Sequence, residues 1–311
     1  MCHRHCYAFL IRLLVLLFGI SSAAKVLAQA TDDFSADTIT LGIVATSHQQ
    51  EIIEHFRPFI SYVSAKVFVT PKAQGKVRVA SSLPELAKLL DQREVDFFME
   101  SSYPTYVINQ VHDAARLLLR RWKGGMAEYR SLIITAKDGG INKIANLQDR
   151  NIAFEDPEST SGYFLPKFFL QRNGLKLTPQ TPSSSGSQPG AVQYIFAGST
   201  EKILDLVLAK QVAAGAISDD DFAGLAAEKR VRLNIVAQTD LLPRHLVSVR
   251  KDLSAAVSQR LAQILQAMNE NDEGRKILLD LDNTTKFDPL PGGEEAMRRR
   301  LLDTFFDRPR N

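Results

Sequence analysis

Short apolar, β-rich runs alternate with helical patterns along most of this chain, and that alternation confines the fold more than any other feature. "TITLGIVA" (38–45) reads as a buried strand. The next stretch puts Ile52, Ile53, Phe56, Phe59, Ile60 and Val63 on one helical face, with Pro58 expected to kink it. "KVRVA" (76–80) is a second strand, and Ser82-Leu83-Pro84-Glu85 is a capping box that opens a helix with Leu86, Leu89 and Leu90 inward. "VDFFM", "SLIITA", "RNIAFE", "VQYIFAG", "VAAGAI" and "RLNIVA" continue the series. Such a series predicts parallel sheets covered by helices. A length of 311 residues allows about two domains of ordinary size.

The first thirty residues are of different material. Arg4 and Arg12 make a basic start, Leu13 to Ile20 is uninterrupted apolar, and Ala28-Gln29-Ala30 offers a small-x-small cleavage site. This is the layout of a secretory signal peptide cleaved after about Ala30, and the apolar run is short of the roughly 20 residues that span a bilayer. Removal takes Arg4, Arg12 and Lys25 and no acid, so the remainder balances 35 basic against 35 acidic residues. The basicity therefore belongs to the leader and does not point to nucleic acid. Cys2 and Cys6 go with it, which removes disulfides and thiolate chemistry from the expected mature protein.

Catalytic signatures are scarce. His48, His55, His112 and His245 form no H-E-x-x-H, and the chain has no G-x-x-x-x-G-K-[ST], G-x-G-x-x-G or G-x-S-x-G. Asp219-Asp220-Asp221 suits a helix start better than a metal, because three adjacent acids point in different directions. The Pro/Ser/Gly-rich stretch 178–190 reads as an exposed excursion, and Arg298-Arg299-Arg300 as a solvated helix face.

One stretch concentrates chemistry: "NIAFEDPESTSGYFLPKFFLQRNG" is strand, turn, hydroxyl cluster and helix, with Gly174 as its stop. The free N–H groups and positive dipole end of such a helix attract anions. Ser159, Thr160 and Ser161 can each add a hydrogen bond, and Gly162 can admit a ligand close to the backbone. The alternative is a plain cap by Ser159 or Ser161, which needs a single hydroxyl. Chemistry alone leaves both open.

From about Thr40 to about Leu253 the chain resembles the PhnD-like phosphate-, phosphite- and phosphonate-binding periplasmic proteins of ABC transporters. The resemblance rests on "LGIVATSHQQ", on "EVDFFMESSYPTYV", on Tyr129, Ser131, Ile133, Asp138, Gly140 and Ile141, on "NLQDRNIAFEDPESTSG", and on "FAGSTEKI" with "VAAGAIS". The STSG block is the specific part. The resemblance implies a type II periplasmic binding protein fold: two α/β lobes with a ligand cleft and two crossover strands. The expected lobes are 37–130 plus 240–311, and 131–239. It implies that Ser159, Thr160, Ser161 and Gly162 hold a small oxyanion, with Thr46 in the first lobe and Ser199 and Thr200 in the second. No catalytic group, metal or cofactor is implied.

The departures bear on specificity. Where phosphonate binders commonly carry a Tyr four residues after the VD aspartate, this chain has Glu100, and Leu83 falls at an earlier cleft Tyr position. Thr200 stands where a His is usual, followed by Glu201. A carboxylate facing a dianion repels it unless an amine on the ligand intervenes. Tyr103 or Tyr106 is a candidate replacement aromatic contact. The expectation is therefore a periplasmic, monomeric solute-binding protein that delivers its ligand to an inner-membrane ABC permease. A sensory module that reports to a membrane kinase or cyclase is the alternative, and a hydrolase using Ser159 or Ser161 is the weakest reading.

Overall fold

A computed structural model describes residues 37–68, 70–180 and 189–306. The expected signal peptide and most of the Pro/Ser/Gly-rich stretch lie outside the described residues. Among the described residues, contacts form two units, one within 37–98, 112–119 and 247–288, the other within 99–111, 120–246 and 289–306.

The first unit is built on β1 (Thr38–Val44), which pairs in parallel with β2 (Gln74–Ala80) and with β3 (Phe97–Glu100). The six-stranded sheet to which they belong also contains β4 (Ala115–Lys123), β13 (His245–Arg250) and β14 (Thr284–Pro289), in the order β14-β4-β13-β3-β1-β2. Helix α1 (Gln49–Val67) runs through Pro58 as one element and buries Phe56, Phe59, Ile60 and Val63. Burying that stripe outweighs the single backbone bond that the proline removes. Helix α2 (Leu83–Asp91) starts at Ser82, whose hydroxyl accepts from Glu85 N, while the Glu85 carboxylate reaches back to Ser81 N at 2.8 Å rather than to the cap residue itself.

The aspartate of the VD motif is structural. Asp96 accepts from Thr40 N at 2.8 Å and from Arg250 Nε at 3.2 Å, and Arg250 is 1% exposed. Helices α8 (Ala255–Ala267) and α9 (Asp272–Asp280) complete this unit. Strand β14, which follows them, is not apparent from the sequence.

The second unit carries a sheet of order β11-β6-β10-β7-β9-β8. Its strands are β6 (Ser131–Ala136), β7 (Asn151–Phe154), β8 (Lys176–Pro179), β9 (Ala191–Phe196), β10 (Ala214–Ser218) and β11 (Leu233–Gln238). Strands β10, β7, β9 and β8 are mutually parallel, and β6 runs antiparallel to β10 and β11. One face packs on α5 (Thr200–Leu208) through Ile203, Leu204 and Val207. The other buries Tyr163, Leu170 and Leu147 against Ile152, Phe154 and Val192. A helix on each face of a mainly parallel sheet is the arrangement that the alternating pattern predicts.

The C-terminal helix α10 (Gly293–Phe305) belongs to this unit and sets Phe305 against Tyr103 and Tyr106 of α3 (Ser102–Tyr106), with ring centroids 5.4 Å apart in both cases. Its arginines are engaged. Arg298 and Arg299 pair with Glu295, and Arg300 bonds Glu128 and the Leu241 carbonyl. Among the described residues no helix is long and apolar enough to cross a membrane.

Candidate functional site

The parallel strands of the second unit deliver three loops to one end of their sheet. Beyond β7, Glu155 N donates to Gly162 O at 3.0 Å, and Glu155 O accepts from Gly198 N at 2.8 Å. The turn after β7 is thereby tied to the loop after β9. Ser199 caps α5 by accepting from Lys202 N, and Thr200 Oγ1 reaches Asp221 Oδ2 at 3.3 Å, on the segment that follows β10. Open α/β sheets bind ligands beyond the carboxyl ends of their strands, where such loops converge.

The STSG segment occupies that edge. Asp156 starts the turn by accepting from Glu158 N at 2.8 Å. Ser159 is the cap: its Oγ accepts from Gly162 N at 2.9 Å and donates to Glu155 Oε2 at 2.7 Å. Residues Thr160–Phe164 then form a π-helical turn, closed by Phe164 N on Ser159 O and Leu165 N on Thr160 O, before α4 (Leu165–Arg172) continues as an α-helix. The first backbone donors, Thr160 N and Ser161 N, have no acceptor among the described residues. They are the orphan groups that a helix start offers to an anion.

Packing alone gives a reason for glycine at position 162. A Cβ there would lie 2.5 Å from Glu155 Cβ, 2.6 Å from Glu155 Oε2 and 2.8 Å from Ser159 Oγ. The space that its missing side chain leaves is filled by Glu155.

Thr160 and Ser161 are braced from behind. Thr160, 1% exposed, accepts from Tyr103 N at 2.9 Å and shares a hydrogen bond with Ser101 Oγ at 2.9 Å. The Tyr129 hydroxyl bonds the side chains of Thr160 and Ser161, and its burial raises its pKa. Arg244 lies over the Tyr129 ring, 4.5 Å from the centroid, and pairs with Asp220 at 2.8 Å. Tyr103 stacks on Phe164 with centroids 3.2 Å apart, and burial pushes its phenol up to about 12.

The electrostatics are mixed. Burial raises the Glu155 carboxyl, and the nearby Asp156 and Asp221 push it the same way, against the Ser159 hydrogen bond and Arg244. The three adjacent aspartates diverge as expected: Asp219 accepts from Arg130 N, Asp220 holds Arg244, and Asp221 takes Ser218 Oγ at 2.5 Å. No group of three or more His, Cys, Asp or Glu among the described residues is arranged to hold a metal ion.

The fold thus brings Ser159, Thr160, Ser161, Gly162, Tyr103, Ser199 and Thr200 into one unit. Glu100 ends β3, half-buried, with its carbonyl accepting from Thr105 Oγ1 at 3.2 Å. Thr46 is exposed in the turn after β1, in the first unit. Leu83 is buried at the start of α2 and Tyr106 packs against Phe305, so each has a packing role. The residues that sequence reasoning misses are Ser101, Glu155, Tyr129 and Arg244. Tyr129 stands in a matched motif, but nothing local links it to residues some thirty positions on.

A family model for the periplasmic substrate-binding protein of phosphonate ABC transporters matches residues 41–291. Solved structures share the architecture. XAC2383 from Xanthomonas citri, bound to ATP, is 25% identical with a TM-score of 0.77, over 86% of this chain and 96% of that one. A binding protein component of an ABC phosphonate transporter from Pseudomonas aeruginosa is 21% identical with a TM-score of 0.57, over 81% and 80%. PhnD1 from Prochlorococcus marinus, in complex with methylphosphonate, is 14% identical with a TM-score of 0.62, over 87% and 97%. The chain has the type II periplasmic binding protein fold, and the family is one of transport-associated binding proteins rather than enzymes. The family model spans most of the chain, and the protein belongs to the periplasmic substrate-binding proteins of phosphonate ABC transporters.

Proposed function

We propose that this protein captures a small phosphonate- or phosphate-like oxyanion after export and hands it to an inner-membrane ABC permease, acting as a monomer and without catalysis. The observation that carries the reading is the braced STSG turn. The N–H groups of Thr160 and Ser161 have no acceptor among the described residues, and both side chains are fixed by Tyr129. A grip whose donors are already oriented loses little entropy when it closes on an anion. The reading also assigns ligand-binding roles to Tyr103, Glu100, Thr46, Ser199 and Thr200, and treats 37–130 plus 240–311 and 131–239 as the lobes that move. Removal of a signal peptide after about Ala30 is part of it.

The test is a thermal-shift screen on protein refolded to strip any endogenous ligand. Phosphate, phosphite, methylphosphonate and 2-aminoethylphosphonate form the panel. A ligand present at 100 times its Kd stabilises the fold by about 2.7 kcal/mol, which a melting curve registers. No shift with any of the four refutes oxyanion capture.

A further inference from the structure

The turn that offers donors to an anion also holds a carboxylate of its own. Ser159 has one hydroxyl hydrogen, directed to Glu155 Oε2, and a lone pair taken by Gly162 N. Its hydroxyl therefore has no donor left for a ligand. The Glu155 side chain lies directly over Gly162, against the first turn of the helix. Its backbone is pinned on both sides, by Gly162 O and Gly198 N, so the carboxylate sits on a fixed stem at the junction of two loops. Its other oxygen, Oε1, has no partner among the described residues.

An oxyanion drawn to Thr160 N and Ser161 N must share that edge with Glu155. Asp156 and Asp221 add to the negative field there, and Arg244 opposes it. A fully deprotonated oxyanion brings only acceptors and meets repulsion. One that carries a hydrogen-bond donor beside its charge converts the same carboxylate into a partner.

We infer that Glu155 determines specificity: it selects oxyanions that bring their own donor, an acidic P–OH or an ammonium group, and rejects donor-free anions such as sulfate. This rests on the oxyanion-capture reading above.

Isothermal titration of the mature full chain and of Glu155→Gln, with methylphosphonate, 2-aminoethylphosphonate and sulfate, tests it. Gln keeps the shape and the Ser159 acceptor but removes the charge and adds an N–H. Wild type should prefer the better phosphonate to sulfate by roughly ten- to a hundredfold, and Glu155→Gln should shrink that ratio by about tenfold. A larger loss with methylphosphonate identifies the P–OH as the donor, and a larger loss with 2-aminoethylphosphonate identifies the ammonium; either supports the inference. A ratio unchanged within about threefold in a variant that binds overturns it while leaving oxyanion capture intact. Failure of wild type to bind any of the three overturns the inference, and failure with phosphate and phosphite as well removes oxyanion capture too. Should Glu155→Gln not fold, Asp221→Asn lowers the same field and must move the ratio in the same direction by a smaller factor.

Discussion

Replacing Gly162 with alanine tests the packing at the heart of the turn. The new methyl would sit 2.5 Å from Glu155 Cβ and 2.6 Å from Glu155 Oε2, far inside any contact that real carbon atoms make, so one of the two backbone segments must shift. Overpacking of this kind costs about 1–3 kcal/mol. The shift also pulls Gly162 N away from Ser159 Oγ, and losing a serine cap costs about 1 kcal/mol. The sum is a destabilisation of about 2–4 kcal/mol, read from urea unfolding followed by circular dichroism. The second half of the experiment uses Glu155 as the partner. Glu155→Ala keeps the Cβ that lies 2.5 Å from the new methyl, so it should relieve little. Glu155→Gly removes that atom and the carboxylate together, and in its background the alanine at 162 should cost about 1–2 kcal/mol less. A cost below about 0.5 kcal/mol for Gly162→Ala, or an equal cost in the Glu155→Gly background, would refute the assignment of this glycine to the Glu155 side chain.

Two other outcomes follow from buried charges. Asp96→Ala should destabilise the first unit by about 1–3 kcal/mol, because the nearly inaccessible Arg250 keeps only the half-exposed Asp252 as a carboxylate partner and Thr40 N loses its acceptor; a denaturation midpoint close to wild type would contradict this. Burial raises the pKa of the Glu155 carboxyl above its ordinary value, so the folded state holds its proton more tightly than the unfolded state. The stability this confers is complete below the unfolded pKa and is lost as pH rises through the folded value. Glu155→Gln should therefore melt at or below the wild-type temperature near pH 4, with the comparison shifting in its favour as pH rises to about 7; a difference that does not vary with pH would falsify the claim.

Much of the architecture is legible because burial leaves a period in the sequence. Strands such as Ile133-Ile134 in β6 and Ile152-Ala153-Phe154 in β7 are fully buried, and they read as short apolar runs. Strand β4 escapes because its sequence, ARLLLRRWK, mixes three arginines among its apolar residues, and one of them, Arg121, is 1% exposed. A buried arginine reads as surface until its surroundings are known. The same limit applies to the site. The hydroxyl cluster is contiguous and visible, whereas its braces reach it from Ser101 and Tyr103, 59 and 57 residues away. Ser159 could be read as a cap or as a ligand, and only the direction of its hydrogen toward Glu155 separates the two.

The π-helical turn at Thr160–Phe164 has a consequence for how such a grip can be altered. A π turn carries one residue more than the α turn it interrupts. Deleting one residue from this stretch would restore the ordinary pitch and leave the far side of α4 facing nearly as before, because five residues at the wide pitch and four at the α pitch turn through almost the same angle. What would disappear is the wide turn in which Thr160 and Ser161 are held. The aim of the hydroxyls is thus written in the length of the turn as well as in its letters, and the loss of one residue can undo the grip while the helix behind it keeps its packing.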